Sequence, residues 1–251
     1  MTDTVSSIIK QFCEKYKLSL SENAPSLFDT LTDELVAYNA HTNLTAVREV
    51  REIAVKHYAD SLAGALTGLF VPEKKVLDVG CGAGFPGLPL KIYEPEIDIS
   101  FLDSTEKKLK FTALAAQKLG FSVRTMPMRA EDAAAKKEER EQYDIAVSRA
   151  MALLPILCEL CLPFVKVGGT FIAYKAAQSA DGQNPESELC RSKNAIAVLG
   201  GKVEDIIRYD LGDFYDRADD DKKHALILIK KVRPTPPAYP RRYPQIIKKP
   251  L

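Results

Sequence analysis

The stretch VLDVGCGAGFPGLPL, Val76 to Leu90, places one carboxylate, Asp78, four glycines and two prolines directly after an apolar run. Glycine admits positive φ and lets a backbone come close to a bound molecule. A glycine loop between a buried strand and a helix is therefore suited to cradling a ligand. A second carboxylate, Asp103, ends the apolar run ISFLD, where it would accept hydrogen bonds from ribose hydroxyls. An arginine, Arg149, ends a third run, AVSRA, at the same ligand-facing edge of a parallel sheet.

Two ligand templates overlap on the loop. Gly82 to Gly87 matches G-x-G-x-x-G, the dinucleotide fingerprint. Asp78, Gly80, Gly82 and Gly84 match D-x-G-x-G-x-G, the loop of S-adenosylmethionine-dependent methyltransferases. Three features favour the second. A carboxylate in the loop repels a pyrophosphate but suits the ammonium of a methionine moiety. Pro86 and Pro89 remove amide donors from the following helix, which weakens it as a phosphate site. The last two strands read as an edge hairpin, the usual ending of a methyltransferase sheet. A nicotinamide-dependent oxidoreductase and a methyltransferase acting on a small molecule or another RNA remain the alternatives.

The elements that must position these residues follow from hydrophobic spacing. Before Lys75 the chain reads as helices. Ile8, Ile9, Phe12 and Tyr16 recur at helical spacing, Pro25 opens a second helix burying Leu27, Phe28, Leu31, Leu35, Val36 and Tyr38, and a third runs from Glu49 to Leu69. From Val76 strands and helices alternate. Strands are expected at Val76–Val79, Ile97–Leu102, Phe121–Met126, Tyr143–Val147, Thr170–Tyr174, Val203–Tyr209 and Ala225–Val232. The helix Thr105–Leu119 is expected to bury Leu109, Ala113, Ala116 and Leu119. The fold class is α/β, a Rossmann-like, mostly parallel seven-stranded sheet with an antiparallel edge hairpin, preceded by a helical extension. Residues 1–70 form that extension, 71–233 the ligand-binding domain, and 234–251 a basic, proline-rich tail expected to be extended.

Hydrophobic residues are 46% of the 251, enough for a core, and no run reaches the ~18 apolar residues of a membrane span. No basic segment leads into an apolar one at the N-terminus, so a cytoplasmic chain is expected. Five scattered cysteines then read as reduced thiols. The net charge of +1 conceals nine basic residues and no carboxylate between Lys222 and Leu251, so the rest of the chain is acidic. A polyanion meeting the basic end and a merely solubilising tail both fit that asymmetry.

YNAHTNLTAV at Tyr38, KHYADSL at Lys56, DVGCGAGFPGLPL at Asp78, FLDS at Phe101, MRAED at Met128, VSRAMA at Val147 and the final KKPL occur in the order seen in the RsmG (GidB) family, which the chain resembles from Tyr38 to Leu251. The resemblance implies a bacterial methyltransferase that modifies N7 of one guanine in 16S rRNA. Its partner is 16S rRNA or the small ribosomal subunit, its cofactor S-adenosylmethionine, with no metal and no membrane, and a monomer is expected. The resemblance puts Gly80, Phe85, Asp103, Ser104, Ala130, Glu131 and Arg149 against the cofactor, with Arg149 also aligning the target nucleotide as the catalytic residue. Guanine N7 has an accessible lone pair and loses no proton on methylation, so no general base is required. Consistent with this, neither N-P-P-Y nor a Pro-Cys nucleophile follows the fourth strand.

Other candidates read as structural. Cys158 and Cys161 form a C-x-x-C in an apolar helix without a second pair. His57 steadies the helical cap or touches substrate. Asn39 and Asn43 read as caps, and Arg149 has a salt bridge to Asp144 or another carboxylate as its structural alternative. Lys175 is expected to meet RNA phosphate or solvent, and Phe85, Tyr174, Tyr239 and Tyr243 are candidate stacking rings for an unstacked guanine.

Overall fold

A computed structural model describes residues 4–215 and 222–251. The first helix, α1 (Val5–Tyr16), starts where the Thr4 side chain accepts from Ser7 N and ends at Lys17 in the left-handed conformation. Its stripe of Val5, Ile8, Ile9, Phe12 and Cys13 is buried. Helix α2 (Ala24–Thr42) has Pro25 in its first turn and Asn43, at φ 50°, as its C-cap. Phe28, Leu31 and Leu35 are buried as expected, but Val36 is 45% exposed. Residues 50–67 form one helical run in four parts: α3 (Val50–Ile53), a π-helical segment (Ala54–Ala59), α4 (Asp60–Leu62) and a 3-10 turn (Ala63–Thr67). The wider π turn falls on His57 and directly precedes Asp60, as such turns commonly do at functional sites.

Seven strands then form one sheet in the order β3-β2-β1-β4-β5-β7-β6. They are β1 (Lys75–Val79), β2 (Asp98–Asp103), β3 (Arg124–Pro127), β4 (Tyr143–Arg149), β5 (Val165–Ala176), β6 (Gly201–Asp210) and β7 (Lys223–Lys231). Pairings from β3 to β5 are parallel, and β7 runs antiparallel to both β5 and β6. The strand order reverses beside β1, which places a crevice outside the carboxyl ends of β1, β2 and β4. The connection from β6 to β7 includes a 3-10 turn at Gly212–Phe214; the rest of that expected hairpin turn, residues 216–221, lies outside the described residues.

One face of the sheet shares a core with α1, α2, the run 50–67, α5 (Gly87–Tyr93) and α6 (Glu106–Lys118). On α6, Leu109, Ala116 and Leu119 are buried as expected, and the one departure is Ala113. Phe111, Thr112 and Ala115 are buried beside Leu109 and Ala116, while Ala113 faces solvent. The other face packs α7 (Ala130–Ala134), α8 (Leu154–Cys161), α9 (Glu188–Arg191) and α10 (Lys193–Val198), the last two standing where hydrophobic spacing suggests one helix, Glu186–Leu199. The C-terminal residues lie on this face. They carry a short helix, α11 (Tyr243–Lys248), where an extended chain is expected, with Ile246 fully buried.

Candidate cofactor and substrate site

A cavity of about 470 Å³ opens at the carboxyl ends of β1, β2 and β4. Gly80, Gly82, Phe85, Asp103, Ser104, Ala130, Glu131 and Arg149 all line it. Gly82 has φ +56°, and a Cβ there would stand in open space. Gly80 has φ +71°, and a Cβ would strike the Met151 sulfur at 2.6 Å. Asp103 is braced on both oxygens, by Gly82 N at 3.0 Å and by Thr105 N at 2.7 Å. Each oxygen retains lone-pair capacity for a further donor.

Asp78 and Gly84 do not line the cavity. Asp78 lies beneath the loop, fully buried, where its Oδ2 accepts from Gly87 N at 2.8 Å. Its Oδ1 is buried without a partner. Burial raises the Asp78 carboxyl to about 7 against the pull of the Gly87 amide and Arg149. A Cβ at Gly87 would meet Phe101 at 2.3 Å and the Asp78 carboxylate at 2.8 Å, so only glycine fits this packing.

Arg149 closes the cavity from the cap side. Its guanidinium is clasped by Asp60 at 2.6 Å and the Lys56 carbonyl at 2.8 Å. Asp60 is therefore the carboxylate that pairs with Arg149, and Asp144 pairs with Lys74 and Lys166 instead. Asp60 also accepts from Tyr209 Oη at 2.6 Å and from His224 Nδ1 at 3.0 Å. Burial opposes its ionisation, but Arg149, His224 and Tyr209 outweigh it and hold the carboxyl at about 2.

His57 stacks on Phe85 at 4.7 Å between centroids, with planes 10° apart. Burial, then the Arg149 charge, lowers its pKa to about 3, so the imidazole is neutral. Its Nε2 bonds Thr45 Oγ1 at 2.9 Å, and Thr45 is pinned in turn by both amide atoms of Asn39. Asn39 thus braces the cavity wall, whereas Asn43 is a helix cap. The Phe85 ring carries His57 on one face and Arg149 at 5.8 Å, which leaves it little room to stack on a base.

A second cavity of about 360 Å³ shares His57, Arg149 and Ala150 with the first and is walled by Asp60, Tyr174 and His224. Lys175 lies at its edge but is held by Glu188 and the Ala152 carbonyl, each at 2.6 Å, rather than free to meet a phosphate. Tyr174 is buried with its hydroxyl on the Ser61 carbonyl. Cys158 and Cys161 face the core of α8, and burial raises both thiols. Five of the residues that sequence reasoning passed over as cavity lining are Leu44, Lys108, Arg129, Met151 and Tyr243. Three of these five lie within or beside the quoted motifs NLT, MRAED and SRAMA.

The basic surplus of the C-terminal end is partly internal. Lys231 is fully buried on the Leu162 carbonyl, Thr235 and Glu141, and Arg241 pairs with the fully buried Glu159.

Comparison with known proteins is consistent in direction. A family model described as rRNA small subunit methyltransferase G matches residues 25–205. A protein of Clostridium perfringens (strain 13 / Type A) named ribosomal RNA small subunit methyltransferase G is 40% identical over 97% of this chain and 98% of its own length. One of the same name from Lactobacillus johnsonii is 42% identical over 94% and 95%. Among solved structures, Aeropyrum pernix fibrillarin with bound S-adenosyl-L-methionine has a similar fold, with a TM-score of 0.52 and 16% identity over 68% of this chain and 73% of that one. Among the described residues no helix is long and apolar enough to cross a membrane.

Proposed function

The chain belongs to the GidB family of small-subunit rRNA methyltransferases, and from that premise we propose that it transfers the methyl group of S-adenosylmethionine to N7 of one guanine in 16S rRNA. The cofactor fits the residues present. The glycine loop leaves open space at Gly82, Asp103 offers a braced carboxylate, and the cavity volume of about 470 Å³ suits a ligand of that size. When bound, S-adenosylmethionine supplies an electrophilic methyl group on a sulfonium.

The position of Arg149 between two adjoining cavities carries the reading. Asp103 would hold the ribose hydroxyls. Ala130 and Glu131 would border the adenine, with Gly80, Ser104 and Phe85 beside the rest of the cofactor. Asp78 would support the loop from below, together with Gly84. The second cavity would receive the unstacked guanine with N7 turned toward the first. Arg149, fixed by Asp60, would align the two partners, and orientation of this kind accounts for much of the rate in an in-line displacement. His57 is neutral and places no cation beside the sulfonium. No side chain needs to remove a proton, in agreement with a site whose imidazole is not poised near neutral pH. The setting is then cytoplasmic, with naked 16S rRNA or the small subunit as substrate, a monomeric enzyme and no metal.

The test is methyl transfer from labelled S-adenosylmethionine to small-subunit rRNA from cells lacking this gene, mapped by the chain scission that N7-methylguanosine permits. One modified guanine, lost with Arg149→Ala, is the expected result. Cofactor binding without transfer to rRNA would overturn the assignment of substrate.

A further inference from the structure

We infer that the C-terminal segment is a wall of the cofactor site, and that Tyr243 closes the adenosine end of the cavity; this rests on the cofactor reading above. Tyr243 lines the cavity although it lies more than 150 residues from the glycine loop in sequence. Its half-buried ring carries the Arg129 guanidinium at 5.3 Å. Arg129 directly precedes Ala130 and Glu131, the residues at the adenine end. A ring already polarised by a cation on one side presents a flat apolar surface to a purine.

The ring is held in place by a built anchorage rather than by a loose tail. Arg140 donates to the carbonyls of Tyr239 and Thr235, both at 2.8 Å. Arg241 engages Glu159 through Nε at 2.9 Å and Nη2 at 2.6 Å, while the Arg241 amide also donates to Glu159 at 2.7 Å. Glu159 is on α8, fully buried, so the segment is tied to that helix by a charged group that has no solvent to turn to. Ile246, one helical turn beyond Tyr243, is fully buried on the same side. Arg242, Lys248 and Lys249 stay exposed, but Arg241 turns inward, and its bonds to Glu159 fix the segment that carries Tyr243.

Calorimetric titration of the full-length protein with S-adenosyl-L-homocysteine and with adenosine tests the inference. Tyr243→Ala should raise Kd about tenfold for both ligands, the scale of one lost purine–aromatic contact, and Tyr243→Phe should bind as the wild type does. The chain has no tryptophan, so Tyr243→Trp supplies a single reporter whose emission should shift on saturation with S-adenosyl-L-homocysteine. Wild-type affinity in Tyr243→Ala, weakening for S-adenosyl-L-homocysteine but not adenosine, or an emission indifferent to saturating ligand would each overturn it. A wild-type protein that binds neither ligand would overturn the cofactor reading itself.

Discussion

Two aspartates stand on either side of the same cavity and meet opposite fates. Asp60, where the helical cap reaches the strand ends, is 6% exposed, and its carboxyl is held at about 2. Asp78, on the floor of the glycine loop, is 0% exposed, and its carboxyl rises to about 7. Burial penalises the charge of both. The difference lies in what faces them: a guanidinium, a phenol and an imidazole at Asp60, one backbone amide at Asp78. A carboxylate that is surrounded by donors becomes a fixed charge that can orient Arg149. A carboxylate with one free buried oxygen keeps a proton near neutrality and serves the loop through shape.

The contrast is broken most severely at Asp60. Asp60→Ala leaves Arg149 buried without its counter-charge, a loss on the order of 3–5 kcal/mol. Thermal melts should fall by roughly 10 °C for a domain of this size, and methyl transfer by at least about 100-fold because the guanidinium loses its orientation. Asp60→Asn should recover part of the melting temperature and much less of the rate. Equal recovery of both would mean that Asp60 only packs.

Glu159 is a third buried carboxylate, paired like Asp60 but with a partner that can leave. Arg241 is 23% exposed along its side chain and can turn outward when Glu159 is removed. Glu159→Ala should therefore cost less than Asp60→Ala, about 2 kcal/mol of unfolding free energy, read as a lower denaturant midpoint at unchanged m. It should also weaken S-adenosyl-L-homocysteine binding, because Tyr243 loses its anchor. A stability loss as large as that of Asp60→Ala would show the two pairs to be equivalent.

How much of this was readable beforehand depends on sequence distance. The glycine loop, Asp103 and the stretch from Ser148 to Ala150 sit in short motifs at strand ends, where the parallel topology alone sends them to one crevice. The mostly parallel sheet with its antiparallel edge hairpin was legible for the same reason, since its strands were local and strongly patterned. Asp60 was visible only as part of KHYADSL; its partners Tyr209 and His224 come from the last two strands, and no local spacing foretells that meeting. The same holds for Tyr243. Charge counting misjudged Lys231 and Arg241, because a tally of cations does not reveal which of them face buried carboxylates. On α6 the alanines blurred the stripe: Ala113 and Ala115 are alike in hydropathy, and the sheet packs against Ala115.

The effect that separates the two aspartates by sign belongs to Asp78. Its folded pKa of about 7 lies above the unfolded value near 3.8. The stability it contributes is therefore fully present below the unfolded value and is lost as pH rises through about 7. Asp78→Asn keeps an oxygen for the Gly87 amide and removes the titration. Relative to the wild type, the asparagine variant should gain between pH 5.5 and pH 8.5, by about 2 kcal/mol given ~1.4 kcal/mol per pKa unit. At the acid end, where wild-type Asp78 is itself protonated, the two should melt nearer one another. Asp60 gives the reverse: its depressed pKa contributes stability that persists from neutral pH down to about 4 and fades only toward 2. Paired melts of wild type and Asp78→Asn across that range decide the matter. A difference that does not change with pH would place the Asp78 charge in contact with a donor or with water, and the contrast with Asp60 would then be one of geometry alone.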